Sequence, residues 1–176
     1  MKVVVVMVET LNGKITKGVN PDVTVWTSKE DQRHFQAVLS KHSLIVMGSK
    51  TFAAARKQIK LEAKKLRVVL TRDPEKYKKF KVTGQLEFTS ESPQKLVSRM
   101  KKKGYKTMLV VGGGEINSLF FKTGLVDELY LTIEPKIFGE GRPLVSEEEL
   151  DISLRLLSIK KLNSKGTLLL KYSVNS

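Results

Sequence analysis

The chain has 176 residues, of which 40% are hydrophobic, so its length and composition fit one globular domain with a sizeable core. It has no cysteine and only two histidines, which excludes disulfide bonds and thiolate metal sites and argues against a histidine-rich metal centre. The formal net charge of +14 indicates either solvated lysine-rich faces or a field that attracts anions, such as nucleic acid or an anionic cofactor.

Five apolar runs predict buried strands, and most of them are continuous rather than alternating, which favours a sheet covered on both faces. They span residues 3–8, 43–48, 67–71, 108–113 and 129–133. The first run is too short for a membrane helix and ends at Glu9 without a cleavage-site pattern. We therefore expect a cytoplasmic protein with no membrane segment.

Between these strands the apolar residues recur with the spacing of helices. In the last part of the chain, apolar and polar residues alternate instead. Helices are predicted over 28–41, 49–59, 92–104 and 115–124, with Ser28 and Ser92 as N-caps. Residues 151–162 and 166–174 flank an Asn-Ser-Lys-Gly break and predict an antiparallel hairpin. The pattern indicates an α/β fold over residues 1–176, a three-layer αβα sandwich with a mostly parallel central sheet and this C-terminal hairpin.

Three strands run into turns that could bind phosphate, "IVMGSKTF" (45–52), "VVLTRDP" (68–74) and "VVGGGEI" (110–116). In a parallel sheet such turns share the carboxyl edge, where ligands bind, and bare amides at a helix start attract phosphate. Asn117 stands where a dinucleotide fingerprint needs its third glycine, and there is no P-loop lysine, which argues against a Rossmann domain or an NTPase. Arg72 is suited to the 2′-phosphate of NADP, and a surface turn would explain it equally well.

Asp31 is the acid that the pattern singles out, because it lies early on an amphipathic helix beside Phe35 and shortly after Trp26. A carboxylate in an apolar wall could clamp an amino-heterocycle through two hydrogen bonds. The alternative is an acid that only complements the dipole at the start of its helix.

Taken together, these stretches resemble dihydrofolate reductase and its wider superfamily, which includes the reductase domain of riboflavin biosynthesis. The likeness runs from Val3 to the final hairpin. It rests on the segments "VETLNGKIT" (8–16), "WTSKEDQRHF" (26–35), "VMGSKTF" (46–52), "VVGGGEI" (110–116) and "ELYLTIEPKIFGEG" (128–141). The resemblance implies a dihydrofolate reductase-like fold and hydride transfer from NADPH to a small-molecule substrate.

The resemblance also implies roles for individual residues. Asp31 would hold the amino-pyrimidine edge of the substrate and help to place a proton, with Thr132 hydrogen-bonded to it and Trp26 acting through water. Val8 and Phe35 would contact the substrate. The residues expected to seat NADPH are Asn12, Ile15, Gly48, Ser49, Lys50, Thr51, Thr71, Arg72, Val111, Gly112, Gly113, Gly114, Glu115 and Ile116. No metal is expected.

The sequence departs from the family pattern at positions that would bind the cofactor and at positions that would bind the substrate. Ser49 stands where the family often has a phosphate-binding arginine, and Asn117 where an aromatic often covers the nicotinamide. The stretch 56–67 lacks the usual proline-glycine turn before the arginine that binds the folate glutamate, so Lys65 or Arg67 would have to substitute.

These patterns leave two substrates open. The first expectation is reduction of 7,8-dihydrofolate to tetrahydrofolate. The alternative is 5-amino-6-(5-phosphoribosylamino)uracil, the riboflavin-pathway substrate, or a related pyrimidine or pteridine. "LNGKIT" and "LVDELYLTIEPKIFGEG" resemble the riboflavin reductases, although the Asp-Asp-Pro-x-Leu-x-x-Arg segment that grips the ribose phosphate is missing.

Two further classes stay open at this point: a lysine-rich nucleic-acid-binding module, and a relative that binds NADPH without turnover. We expect a monomer or homodimer without a specific nucleic-acid partner.

Overall fold

A computed structural model describes residues 1–146 and 149–174, and its centre is one eight-stranded sheet. The strands are β1 (Lys2–Thr10), β2 (Leu44–Gly48), β3 (Leu66–Leu70), β4 (Leu86–Thr89), β5 (Thr107–Val110), β6 (Glu128–Glu134), β7 (Leu154–Lys161) and β8 (Leu168–Val174). Their order across the sheet is β4-β3-β2-β5-β1-β6-β8-β7. The first six in this order run parallel, whereas β8 is antiparallel to β6 and to β7. The predicted mostly parallel sheet and C-terminal hairpin are confirmed.

In the described part of the chain, four α-helices cover both faces of this sheet, as the continuous apolar strands predict. They are α1 (Lys29–Ser40), α2 (Ser49–Ala55), α3 (Pro93–Lys102) and α4 (Gly114–Lys122), with short 3-10 helices at Val23–Val25 and Glu75–Phe80. Val4 and Val6 of β1 belong to the apolar cluster under α1 and α2. Val3 and Val5, which point to the other face, belong to the cluster under α3 and α4. The αβα sandwich is therefore confirmed.

The helix starts follow their predicted caps. The hydroxyl of Ser28 accepts the N–H of Asp31 at 3.2 Å, and that of Ser92 accepts the N–H of Lys95 at 3.4 Å. Pro93 occupies the first turn of α3, where a missing N–H costs nothing. Helix α2 ends at Ala55, whereas the apolar pattern predicted a helix to residue 59.

Strand β4 is not predicted by the sequence analysis. It has four residues at the sheet edge, and only Leu86 among them is buried. A run this short, with the charged Glu87 between Leu86 and Phe88, carries too few apolar positions to mark a strand. Within the described residues, no helix has the length and apolar character needed to span a membrane.

Candidate active site

The carboxyl ends of the parallel strands open onto one cleft of about 2460 Å³. This exceeds the roughly 300–1,000 Å³ of a pocket for one small molecule, so two ligands can lie side by side. The predicted site residues that line it are Val8, Ile15, Asp31, Phe35, Gly48, Ser49, Lys50, Thr51, Thr71, Arg72, Val111, Gly113, Gly114, Glu115 and Ile116. Asn12, Trp26, Gly112 and Thr132 lie outside this lining.

Asp31 and Thr132 form a buried polar pair at one wall of the cleft. Asp31 is 6% exposed and Thr132 is 2% exposed. Thr132 stands opposite Val8 in the register of β6 and β1, so the hydrogen bond between Thr132 and Asp31 joins the start of α1 to the centre of the sheet. Burial raises the pKa of Asp31 to about 6, with the Thr132 hydrogen bond opposing the rise and the nearby Glu134 adding to it. Asp31 is therefore more than a helix-start acid, because its carboxyl is buried against the sheet.

The raised pKa of Asp31 predicts a pH-dependent stability effect for Asp31→Asn. A carboxyl with a pKa of 3.8 when unfolded and about 6 when folded stabilises the fold below pH 4, and this contribution is lost as pH rises through 6. Removing the charge should therefore raise the free energy of unfolding at pH 8 by up to about 3 kcal/mol and leave it nearly unchanged at pH 4. Urea titrations at the two pH values measure this, and equal effects at both would contradict it.

Trp26 and Asn12 support the site from behind the cleft wall. Trp26 is buried edge-on against Phe138, with ring centroids 5.3 Å apart, and its Nε1–H has no hydrogen-bond partner among the described residues. Asn12 donates to the carbonyl of Phe138 at 2.7 Å and accepts from the Phe138 N–H at 3.2 Å and the Thr10 hydroxyl at 2.7 Å. The side chain of Asn12 thus joins the loop after β1 to the segment after β6, and its cofactor contact stays a prediction.

The two glycine turns bring the ends of β2 and β5 into close contact. The N–H of Gly48 donates to the carbonyl of Gly112 at 2.8 Å, and Gly112 has a φ of 85° and a cis bond to Gly113. A Cβ on Gly48 would lie 2.8 Å from Cγ1 of Ile116, and one on Gly114 would lie 2.7 Å from the carbonyl oxygen of Pro143. Helix α4 begins at the cleft after its N-cap Gly113, and no side chain caps its first amides. These amides can therefore bind an anion.

Cationic side chains surround this end of the cleft. Lys50 bonds Glu115 at 2.6 Å across the starts of α2 and α4. That hydrogen bond, with Arg72 and Arg142 close by, lowers the pKa of Glu115. The bare start of α4 and the three cations fit a phosphate-rich dinucleotide such as NADPH.

Lys65 and Arg67 form a second cationic group in the cleft, with side chains only 11% and 8% exposed. Both contact one carboxylate, that of Glu62, at 3.0 Å and 3.6 Å. Nη1 of Arg67 is buried and has no partner among the described residues. Two buried cations with one half-exposed carboxylate leave an uncompensated positive charge, which is a site for an anion.

Glu134 is a buried acid that the sequence analysis missed. It is 2% exposed, and its carboxylate accepts the Ser28 N–H and the Thr167 hydroxyl, both at 2.7 Å. The alternation of side chains along β6 could have indicated Glu134, because it is two residues beyond Thr132 and so points to the same face.

The chain is similar in sequence to a known protein family and to curated proteins. The model of the RibD C-terminal domain family matches residues 1–168. The uncharacterized protein YyaP of Bacillus subtilis is 30% identical over 83 residues, which are 47% of this chain and 44% of YyaP. The aligned part thus spans less than half of that curated relative.

Solved structures confirm the predicted dihydrofolate reductase-like fold. The chain superposes with a TM-score of 0.77 and 17% identity on a Thermotoga maritima diaminohydroxyphosphoribosylaminopyrimidine deaminase/5-amino-6-(5-phosphoribosylamino)uracil reductase, over 99% of this chain and 56% of that one. It superposes with a TM-score of 0.65 and 17% identity on dihydrofolate reductase from Enterococcus faecalis complexed with NADP(H), over 99% of this chain and 97% of that one.

Proposed function

The chain belongs to the RibD C-terminal domain family, and from this premise we propose that it is an NADPH-dependent reductase of a phosphorylated aminopyrimidine. The observation that carries the proposal is that one cleft holds a buried acid, a glycine-rich anion site and a second cationic group. Family membership supports the alternative that the sequence left open, the riboflavin-type substrate, better than the first expectation of dihydrofolate.

The cofactor end of the cleft would bind NADPH, which supplies a hydride when bound. The amides at the start of α4 would hold phosphate oxygens, and Lys50 and Arg72 would neutralise their charge. The close contact of Gly48 with Ile116 leaves no room for a side chain there, so the turn stays flat beside the cofactor. These residues bind and orient the cofactor.

The substrate end is built around Asp31. Its carboxyl can accept hydrogen bonds from the amino and ring N–H groups of a pyrimidine, and Val8 and Phe35 offer apolar contact. With a pKa of about 6, Asp31 exists in both protonation states near neutral pH, as a proton donor to the reduced substrate must. Thr132 fixes the orientation of the carboxyl.

Lys65 and Arg67 support a substrate with an anionic tail. This pair would replace the missing Asp-Asp-Pro-x-Leu-x-x-Arg segment. Within the described residues, Nη1 of Arg67 makes no hydrogen bond. A phosphate or carboxylate would complete its hydrogen bonds.

The test is NADPH oxidation by the purified protein, with three substrates compared. These are 5-amino-6-(5-phosphoribosylamino)uracil, its dephosphorylated form and 7,8-dihydrofolate, with an assay without substrate as control. We expect turnover of the phosphorylated pyrimidine, and a kcat/KM lower by about tenfold or more without the phosphate, because charged hydrogen bonds are lost. No turnover of either pyrimidine would refute the proposal.

Dihydrofolate reduction is the second candidate, and the buried Asp31–Thr132 pair favours it, since the resemblance assigns this pair to a pterin. Faster turnover of dihydrofolate than of the pyrimidine, with inhibition by methotrexate, would establish this candidate. In that case Lys65 and Arg67 would meet a folate carboxylate.

A further inference from the structure

Glu134 occupies a position that neither the family match nor the resemblance assigns. Its carboxylate lies on the same face of β6 as Thr132, and Thr132 hydrogen-bonds Asp31. One oxygen of Glu134 accepts the backbone N–H of Ser28 at 2.7 Å, and the hydroxyl of Ser28 accepts the backbone N–H of Asp31 at 3.2 Å. Glu134 therefore lies on the same face of β6 as the partner of Asp31, and it is connected to Asp31 through the cap of α1.

The other oxygen of Glu134 is held from the hairpin. It accepts the Thr167 hydroxyl at 2.7 Å, and Asn163 donates to that hydroxyl at 2.9 Å. Both oxygens of Glu134 act as acceptors, which is the arrangement of an ionised carboxylate. A buried charge fixed by hydrogen bonds from two elements has little freedom to move away from its neighbours.

We propose that Glu134 is a positioning residue for Asp31, which fixes the start of α1 and favours the proton-bearing state of the Asp31 carboxyl. Like charges close together in a buried site disfavour a second ionisation, so the fixed charge of Glu134 favours the protonated form of Asp31. The catalytic consequence rests on the proposed function, in which Asp31 donates a proton.

Other charged groups near Asp31 are engaged elsewhere. On its own helix, Glu30 bonds Arg33 at 2.8 Å and accepts from Asn163 at 3.3 Å, and the pKa of His34 is lowered by burial and by lysines that include Lys171 and Lys160. On β1, burial raises the pKa of Glu9 to about 7, but strand alternation points this side chain away from the face of Val8. Glu134, on β6, is the charged group that raises the pKa of Asp31.

The experiment compares the titration of Asp31 in the wild type and in Glu134→Gln, with carbon-labelled aspartate carboxyls followed by NMR. The Asp31 signal is assigned by its absence in Asp31→Asn. Glutamine keeps the shape and can accept from Ser28, and the Thr167 hydroxyl can turn to accept from it, so the fold should survive. We expect the Asp31 midpoint to fall by roughly half a pH unit or more, since a repelling charge is removed. An unchanged midpoint would overturn the proposal.

Glu128→Gln is the matched control, because Glu128 begins the same strand and is bonded to Lys2 at 2.7 Å and to Tyr130 at 2.8 Å. It should leave the Asp31 midpoint where it is. An equal fall in this control would also overturn the proposal, since any lost charge would then suffice.

A wild-type measurement keeps the test decisive if Glu134→Gln fails to fold. In wild-type protein labelled at glutamate carboxyls, the chemical shift of the Glu134 carboxyl should change at the Asp31 midpoint, and this change should vanish in Asp31→Asn. Its absence from the wild type would refute the coupling. These readouts need no substrate, so a failure of the proposed function would appear separately as missing turnover. Where turnover is found, Glu134→Gln should move the pH limb of kcat/KM in the same direction as the Asp31 midpoint.

Discussion

Asp31→Asn is expected to lower kcat/KM by about 10² to 10⁴-fold, the range that a positioned proton donor contributes. The substitution keeps the size of the side chain and its ability to bond Thr132, and it removes the proton that Asp31 would give. NADPH affinity should not change, because Lys50, Arg72 and the glycine turns lie apart from the Asp31–Thr132 pair. Steady-state kinetics and cofactor titration measure the two effects.

Two features make this test of Asp31 specific. The variant should be more stable than the wild type at pH 8, so lost turnover could not be attributed to unfolding. Glu30→Gln is the matched control, because its carboxyl neighbours Asp31 on α1, bonds Arg33 and Asn163, and does not line the cleft. Retained turnover in Asp31→Asn, or an equal loss in Glu30→Gln, would remove Asp31 from the proton-donor role.

The stability gain and the activity loss have the same physical origin. Burial raises the pKa of Asp31, which costs free energy at neutral pH and gives the carboxyl a proton to donate. Active sites commonly hold such unfavourable groups, which a stabilising substitution removes together with the function.

Much of the fold follows from local patterns in the sequence. Continuous apolar runs in β1 and β2 predict a sheet covered on both sides, and Ser28 and Ser92 mark helix starts through hydrogen bonds that depend on neighbours in sequence. Strand β4 could not be predicted in this way, because its pairing with β3 is a contact made across the fold by a four-residue edge segment.

The site residues also divide into those that local sequence indicates and those that only tertiary contacts reveal. Asp31 stands out in sequence because it is an acid on an amphipathic helix near aromatic residues. Glu134 does not, because its importance comes from partners that are distant in the chain, with Ser28 106 residues away and Thr167 33 residues away. The same holds for the contact of Asn12 with Phe138, 126 residues away. A sequence pattern carries local spacing, whereas a buried polar network is specified by tertiary contacts.

The structure shows where part of the net positive charge lies. The sequence left open whether the excess of +14 serves solubility or attracts anions. Lys50, Lys65, Arg67, Arg72 and Arg142 all line the cleft. Acidic side chains such as Glu62 and Glu115 line it too, but the cations outnumber the acids, and a net positive lining raises the local concentration of an anionic ligand. Part of the excess is therefore placed where a phosphorylated cofactor and an anionic substrate would enter.

Arg72→Gln is expected to weaken NADPH binding by about 10- to 100-fold, the loss of charged hydrogen bonds to the 2′-phosphate, and to leave NADH binding much less affected. Arg72 directly follows Thr71 at the exit of β3 and lines the cleft. Arg155→Gln removes the same charge from the exposed edge strand β7 and should change neither affinity. Fluorescence titrations with both cofactors measure the ratio. Equal weakening of NADPH and NADH would mean that Arg72 contributes only to the general field of the cleft, whereas selective weakening assigns the 2′-phosphate to the end of β3. The remaining phosphates would then lie towards the start of α4, and the nicotinamide towards Asp31.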